Sequence, residues 1–137
     1  MARRKLTREG TLLLDSEGLS KLLNDEEPVV ALVAEARSRG MEVVMCALTI
    51  IEAVHARTDK ARLNWVLSGV RVISVGDEEA RAASALLMAA GLHGHKFAID
   101  AAVAEAALRQ RRPVVLLTSD VDDMAKLCGG HVHIVGV

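Results

Sequence analysis

Aromatic side chains are almost missing from these 137 residues: one Trp, one Phe and no Tyr. Binding of single-stranded bases on a run of aromatic platforms therefore has little to work with. Cysteine is scarce too. Cys46 lies in an apolar run and Cys128 precedes Gly129-Gly130. The pair has no metal-ligand spacing, which points to buried thiols in a reduced, cytoplasmic chain. No apolar stretch reaches membrane-spanning length, and the basic start leads into an acidic segment and not a signal-peptide core. Charge of one sign is not in excess either. Lys and Arg number 17 against 18 Asp and Glu, a net charge of −1, so no overall basic field announces a polyanion partner. The turn Asp15-Ser16-Glu17-Gly18 carries neither a triple-Gly dinucleotide fingerprint nor a P-loop lysine. No Gly-flanked Ser elbow supplies a hydrolase nucleophile.

What is present is aliphatic. Hydrophobic residues make up 51% and charged residues 26% of the chain, which suits one globular domain able to bury about two-thirds of its unfolded surface. Residues 1–10 form a polar lead-in with Arg3, Arg4, Lys5 and Arg8, expected to be a mobile basic tail. Residues 11–137 form the domain. Strands are predicted over 11–14, 42–46, 70–75, 114–117 and 131–135. Helices are predicted over 16–23, from Glu26 and Glu27 to the stop at Gly40, and over 50–56, 59–67, 77–90, 97–109 and 120–127. Residues 91–96 read as a loop. Strands alternating with helices give an α/β fold of three layers, α/β/α, around a mostly parallel sheet.

The chemistry lies in four carboxylates. Thr11-Leu12-Leu13-Leu14 runs into Asp15, and Val114-Val115-Leu116-Leu117-Thr118 is followed by Ser119-Asp120. If these strands are parallel neighbours, the two acids stand roughly 5 Å apart, the spacing between strands. Two carboxylates that close need a proton or a cation between them. Glu52 is flanked by Ile50, Ile51 and Val54, and Asp100 by Ala98-Ile99 and Ala101-Ala102-Val103. A carboxylate in such apolar sequence is rarely buried without a partner. Each acid alone has a plain reading: a helix cap for Asp15 and Asp120, a solvated face for Glu52, a favourable first-turn charge for Asp100. Together they point to one site. Oxygen-only ligands select a hard cation, Mg2+ or Mn2+, with Asp15 and Asp100 bound directly and Asp120 and Glu52 directly or through water.

The ordered set Leu14-Asp15-Ser16, Ile51-Glu52, Ile99-Asp100-Ala101-Ala102-Val103-Ala104 and Leu117-Thr118-Ser119-Asp120 resembles the PIN domain family. Within it, the chain most resembles VapC-type toxins of bacterial toxin–antitoxin pairs, over essentially residues 11 to 137. That resemblance implies a Mg2+- or Mn2+-dependent ribonuclease whose acidic quartet is Asp15, Glu52, Asp100 and Asp120. An accessory acid falls on Asp122 or Asp123, and the family's small hydroxyl residue falls on Thr118. It also implies an RNA substrate, a cognate antitoxin protein and a homodimer, for which Leu- and Val-rich helix faces near residues 19–36 are the candidate surface. The chain departs from the family in having Asp123-Met124 where an aromatic residue is common.

Other polar residues are secondary. His95 and Lys96, with His93, precede Asp100 closely enough to touch phosphate, as does Ser16 beside Asp15. His55 could orient Glu52, whereas His131 and His133 are peripheral and Leu86-Leu87-Met88 reads as core. Two rival classes remain: a PIN-like module that binds RNA or protein without catalysis, and a haloacid-dehalogenase-type phosphatase. The second wants an Asp two residues after the first, where this chain has Glu17.

Overall fold

A computed structural model describes residues 9–137. Most of the basic lead-in, with Arg3, Arg4, Lys5 and Arg8, lies outside the described residues. Five strands form one sheet: β1 (Thr11–Leu14), β2 (Glu42–Cys46), β3 (Arg71–Ile73), β4 (Val114–Thr118) and β5 (His133–Gly136). Their order is β3-β2-β1-β4-β5, and every neighbouring pair is parallel. Central β1 is buried along its whole length, as expected of a parallel strand covered on both faces.

Among the described residues seven helices cover the sheet: α1 (Ser16–Leu23), α2 (Glu27–Ser38), α3 (Ala47–Ala53), α4 (Lys60–Ser68), α5 (Asp77–Ala90), α6 (Gly94–Arg109) and α7 (Val121–Cys128). Alternation along the strands divides the core. Leu12, Leu14, Val43, Met45 and Leu117 pack with α1, α2 and α4. Leu13, Val44 and Leu116 face α5, α6 and α7 on the other side. This is the three-layer α/β/α arrangement expected from the sequence. Gly18 allows α1 to lie close on β4, since a Cβ there would stand 3.3 Å from the Leu117 carbonyl oxygen.

The connections fix where a site can form. From β1 the chain steps outward through β2 to β3, then returns to the opposite side of β1 as β4. Beyond the carboxyl ends of β1 and β4 the crossovers diverge, which opens a crevice at the strand ends. Asp15 and Asp120 stand there.

Several boundaries differ from expectation. Helix α3 begins at Ala47 and stops at Ala53, because the chain turns into a helix straight from Cys46 and leaves His55 outside it. Strand β3 has three residues and not six, its limits set by pairing with β2. Strand β5 starts at His133, so His131 lies before it. Helix α6 starts at Gly94 with a break at Phe97 (φ −113°, ψ 17°), so the expected loop is partly a helical turn. On α5, Leu87 is buried but Met88 is 80% exposed, which removes it from the core. In the stretch 19–36, Leu19, Leu22, Val29, Val33 and Ala36 are buried against the sheet, and Leu23, Val30 and Leu32 only partly. Most of that apolar face is therefore already covered. No helix among the described residues is long and apolar enough to cross a membrane.

Candidate metal centre

Register, not strand spacing, decides what faces Asp15. Leu14 pairs with Leu117, so the next residue, Asp15, is level with Thr118 and not with Asp120. The Thr118 hydroxyl donates to Asp15 Oδ2 at 2.7 Å and accepts from the Asp120 amide at 3.0 Å. One buried hydroxyl thus fixes the first acid and the turn that carries the last. Asp15 Oδ1 accepts from the Ser16 amide at 2.7 Å, which also makes Asp15 the N-cap of α1. Each carboxylate oxygen has lone pairs left for a cation. Asp120 holds the N-cap position of α7 but its side chain makes no capping bond.

Asp100 completes the cluster from α6, three residues after the break at Phe97. One oxygen each from Asp15, Asp100 and Asp120 lie within 4.8 Å of one another. These three acids come from chain segments up to about a hundred residues apart. None of them pairs with a Lys, Arg or His among the described residues. The electrostatic consequence is direct. Burial, then the charges of Asp15, Asp120, Glu52 and Asp123, push the Asp100 carboxyl up to about 7. Burial also holds Asp15 above the usual carboxylate range, despite the hydrogen bonds from Thr118 and Ser16. Three carboxylates this close could hold a divalent ion, and an all-oxygen set suits a hard one.

Glu52 stands outside this trio. It borders the same cleft, of about 380 Å3, and its Oε1 accepts from the Ser16 hydroxyl at 2.6 Å. Ser16, beside Asp15 in the chain, thus ties Glu52 to the start of α1. The two candidate accessory acids differ in position on the helix. Asp123, three residues after Asp120 and on the same face of α7, lines the cleft, whereas Asp122 is exposed away from it. That spacing was available in the sequence.

His95 and Lys96 line the cleft, but Lys96 does not pair with Asp100; its ammonium lies 5.2 Å from the centre of the Phe97 ring. Phe97 also lines the cleft and was missed by sequence reasoning, although it is the one Phe of the chain and precedes Asp100 by three. His55 faces a separate small pocket with Ser20, Arg57 and Arg62. Glu17, where a phosphatase would carry its second Asp, is 4.0 Å from Lys21 one turn along α1.

No protein-family model matches the chain, and no curated protein matches it significantly. Solved structures do. Superposition on a chain of VapBC2 from Rickettsia felis, bound to a DNA fragment from its promoter, gives a TM-score of 0.67 at 13% identity, covering 93% of this chain and 98% of that one. A chain of a toxin–antitoxin complex from Klebsiella pneumoniae gives 0.68 at 18% identity, covering 89% and 95%. A chain of FitAB bound to the IR36 DNA fragment gives 0.61 at 17% identity, covering 92% and 94%. At these identities the likeness is one of fold, and it extends over nearly the whole length of each chain.

Proposed function

We propose that this chain is a divalent-metal-dependent ribonuclease of the PIN type and the toxin of a toxin–antitoxin pair. The observation that carries the reading is the meeting of Asp15, Asp100 and Asp120 within 4.8 Å, with no Lys, Arg or His among the described residues paired to them. The order of the four acidic motifs supports it. So does the fold shared with chains of the VapBC2, Klebsiella and FitAB complexes.

Asp15, Asp100 and Asp120 would hold Mg2+ or Mn2+, with Asp123 adding negative charge at the cleft wall. When bound, the ion supplies positive charge at the scissile phosphate and acidifies a nearby water. Asp15 needs no reorganisation to take part, because Thr118 and the Ser16 amide already fix its carboxylate. Glu52, held by Ser16, is placed at the cleft to accept the proton of the attacking water. The water oxygen bonds to phosphorus, the bond to the 3′ oxygen breaks, and that oxygen takes a proton from solvent. The products carry a 5′-phosphate and a 3′-hydroxyl. Lys96 and His95 lie where they can meet flanking phosphates. A small antitoxin protein and a second copy of this chain are the partners that go with this reading.

The test is incubation of the purified protein with RNA in Mg2+ or Mn2+. Cleavage that stops with EDTA and in Asp100→Asn is the expected result. Intact RNA in the presence of folded, Mn2+-loaded protein overturns the reading.

A further inference from the structure

The one Phe of a nearly ring-free chain stands in the acid cleft, beside Glu52, Asp100 and Asp120. Among the described residues the rest of the core is built of aliphatic side chains, Met and Cys, so packing alone would be served here by Leu, as it is elsewhere. Phe97 is half-buried, packed against the α5–α6–α7 side of the core and open to the cleft. It sits at the break in α6, three residues before Asp100, and both side chains line the same cleft. The ammonium of the exposed Lys96 lies over one face of the ring, 5.2 Å from its centroid. A cation–π contact at an exposed site is weak and yields readily. Stacking of a base on the same face is stronger, and it accepts any base because every base has a π-face.

Resting on the nuclease reading, we propose that Phe97 is a stacking platform for the nucleobase beside the scissile phosphate. Lys96 leaves the ring as the base arrives and pairs with the adjoining phosphate. A base must be unpaired and turned out to stack in this way, so the nucleotide at that position is unpaired when bound, with little preference for one base there.

The experiment compares the full chain with Phe97→Leu, which keeps the packing, and Phe97→Trp, which keeps a ring. The probe is a 5′-fluorescein-labelled single-stranded oligoribonucleotide of mixed sequence, with a series carrying one abasic nucleotide at successive positions and a hairpin whose stem holds the same sequence. Affinity is read in Ca2+, and kcat and KM in Mn2+. Phe97→Leu should weaken binding and raise KM about tenfold, while Phe97→Trp should bind like the original. One abasic position should cost the original chain a similar factor and cost Phe97→Leu nothing further, because both remove the same stack. Unchanged KM in Phe97→Leu, an equal loss in Phe97→Trp, additive losses with the abasic probe, or a stem cut as fast as the single strand would each overturn the inference while leaving the nuclease standing. If the original chain neither binds nor cuts, the nuclease reading fails and the platform with it.

Discussion

Helix α6 carries two acids in very different circumstances. Glu105 is 6% exposed, and its Oε2 accepts from Arg109 Nε at 2.5 Å, one turn along the same helix. Asp100, five residues earlier, has no such partner and faces Asp15, Asp120 and Glu52. The helix thus supplies a cation to the acid that supports the fold and withholds one from the acid at the cleft. A half-buried carboxylate without a countercharge is costly, and acids perturbed in this way cluster at functional sites.

The largest test of this contrast is removal of the unpaired charge. Asp100→Asn should reduce Mn2+-dependent RNA cleavage by about two to four orders of magnitude, measured as initial rate on a labelled RNA. Glu105→Gln should leave the rate per folded molecule within about twofold, because it removes no cleft carboxylate.

The next test is pH. In metal-free protein the folded state holds the Asp100 proton up to about pH 7, whereas the unfolded chain releases it near pH 4. Between those values the unfolded state binds fewer protons, so stability is fully present below about pH 4 and falls as pH rises towards 7. The original chain should lose about 2–3 kcal/mol relative to Asp100→Asn between pH 4.5 and 8, allowing for solvent screening. Urea melts of both proteins check the sign. Mn2+ should restore stability at pH 8 and do little at pH 4.5, since binding to the native state alone stabilises it.

Breaking the other acid's pairing gives a smaller effect of a different kind. Arg109→Met leaves Glu105 buried without its cation and should cost about 2 kcal/mol in urea unfolding. Metal affinity should be unchanged. The smallest effect expected is at Thr118→Val, which keeps the shape but loses the hydroxyl bridging Asp15 and the Asp120 amide. Mn2+ affinity by calorimetry should fall about tenfold.

Much of this arrangement was legible in the sequence, for a physical reason. Strands β1 and β4 are apolar on both faces and stop at acids, so the run itself announces a buried parallel strand and marks its end. Alternation with helices then implied one sheet, and the acids followed to its edge. Other features depend on contacts that no local pattern records. The level of Asp15 with Thr118 comes from the β1–β4 register. The break at Phe97 occurs without Pro, in a stretch whose residues all tolerate a helix. Ser16 was read as facing substrate, yet its hydroxyl reaches Glu52, 36 positions away. Met88 fits the apolar pattern of α5 but falls on its outer side. Asp123 could have been separated from Asp122 by counting three residues from Asp120.

The strand order has a consequence in time. During synthesis, β1 and its acid emerge before the neighbouring β4, with β2, β3 and six helices made in between. Until residues 114–118 have left the ribosome and docked beside β1, Asp15 has neither Thr118 nor Asp120, and no partial chain can assemble the cluster.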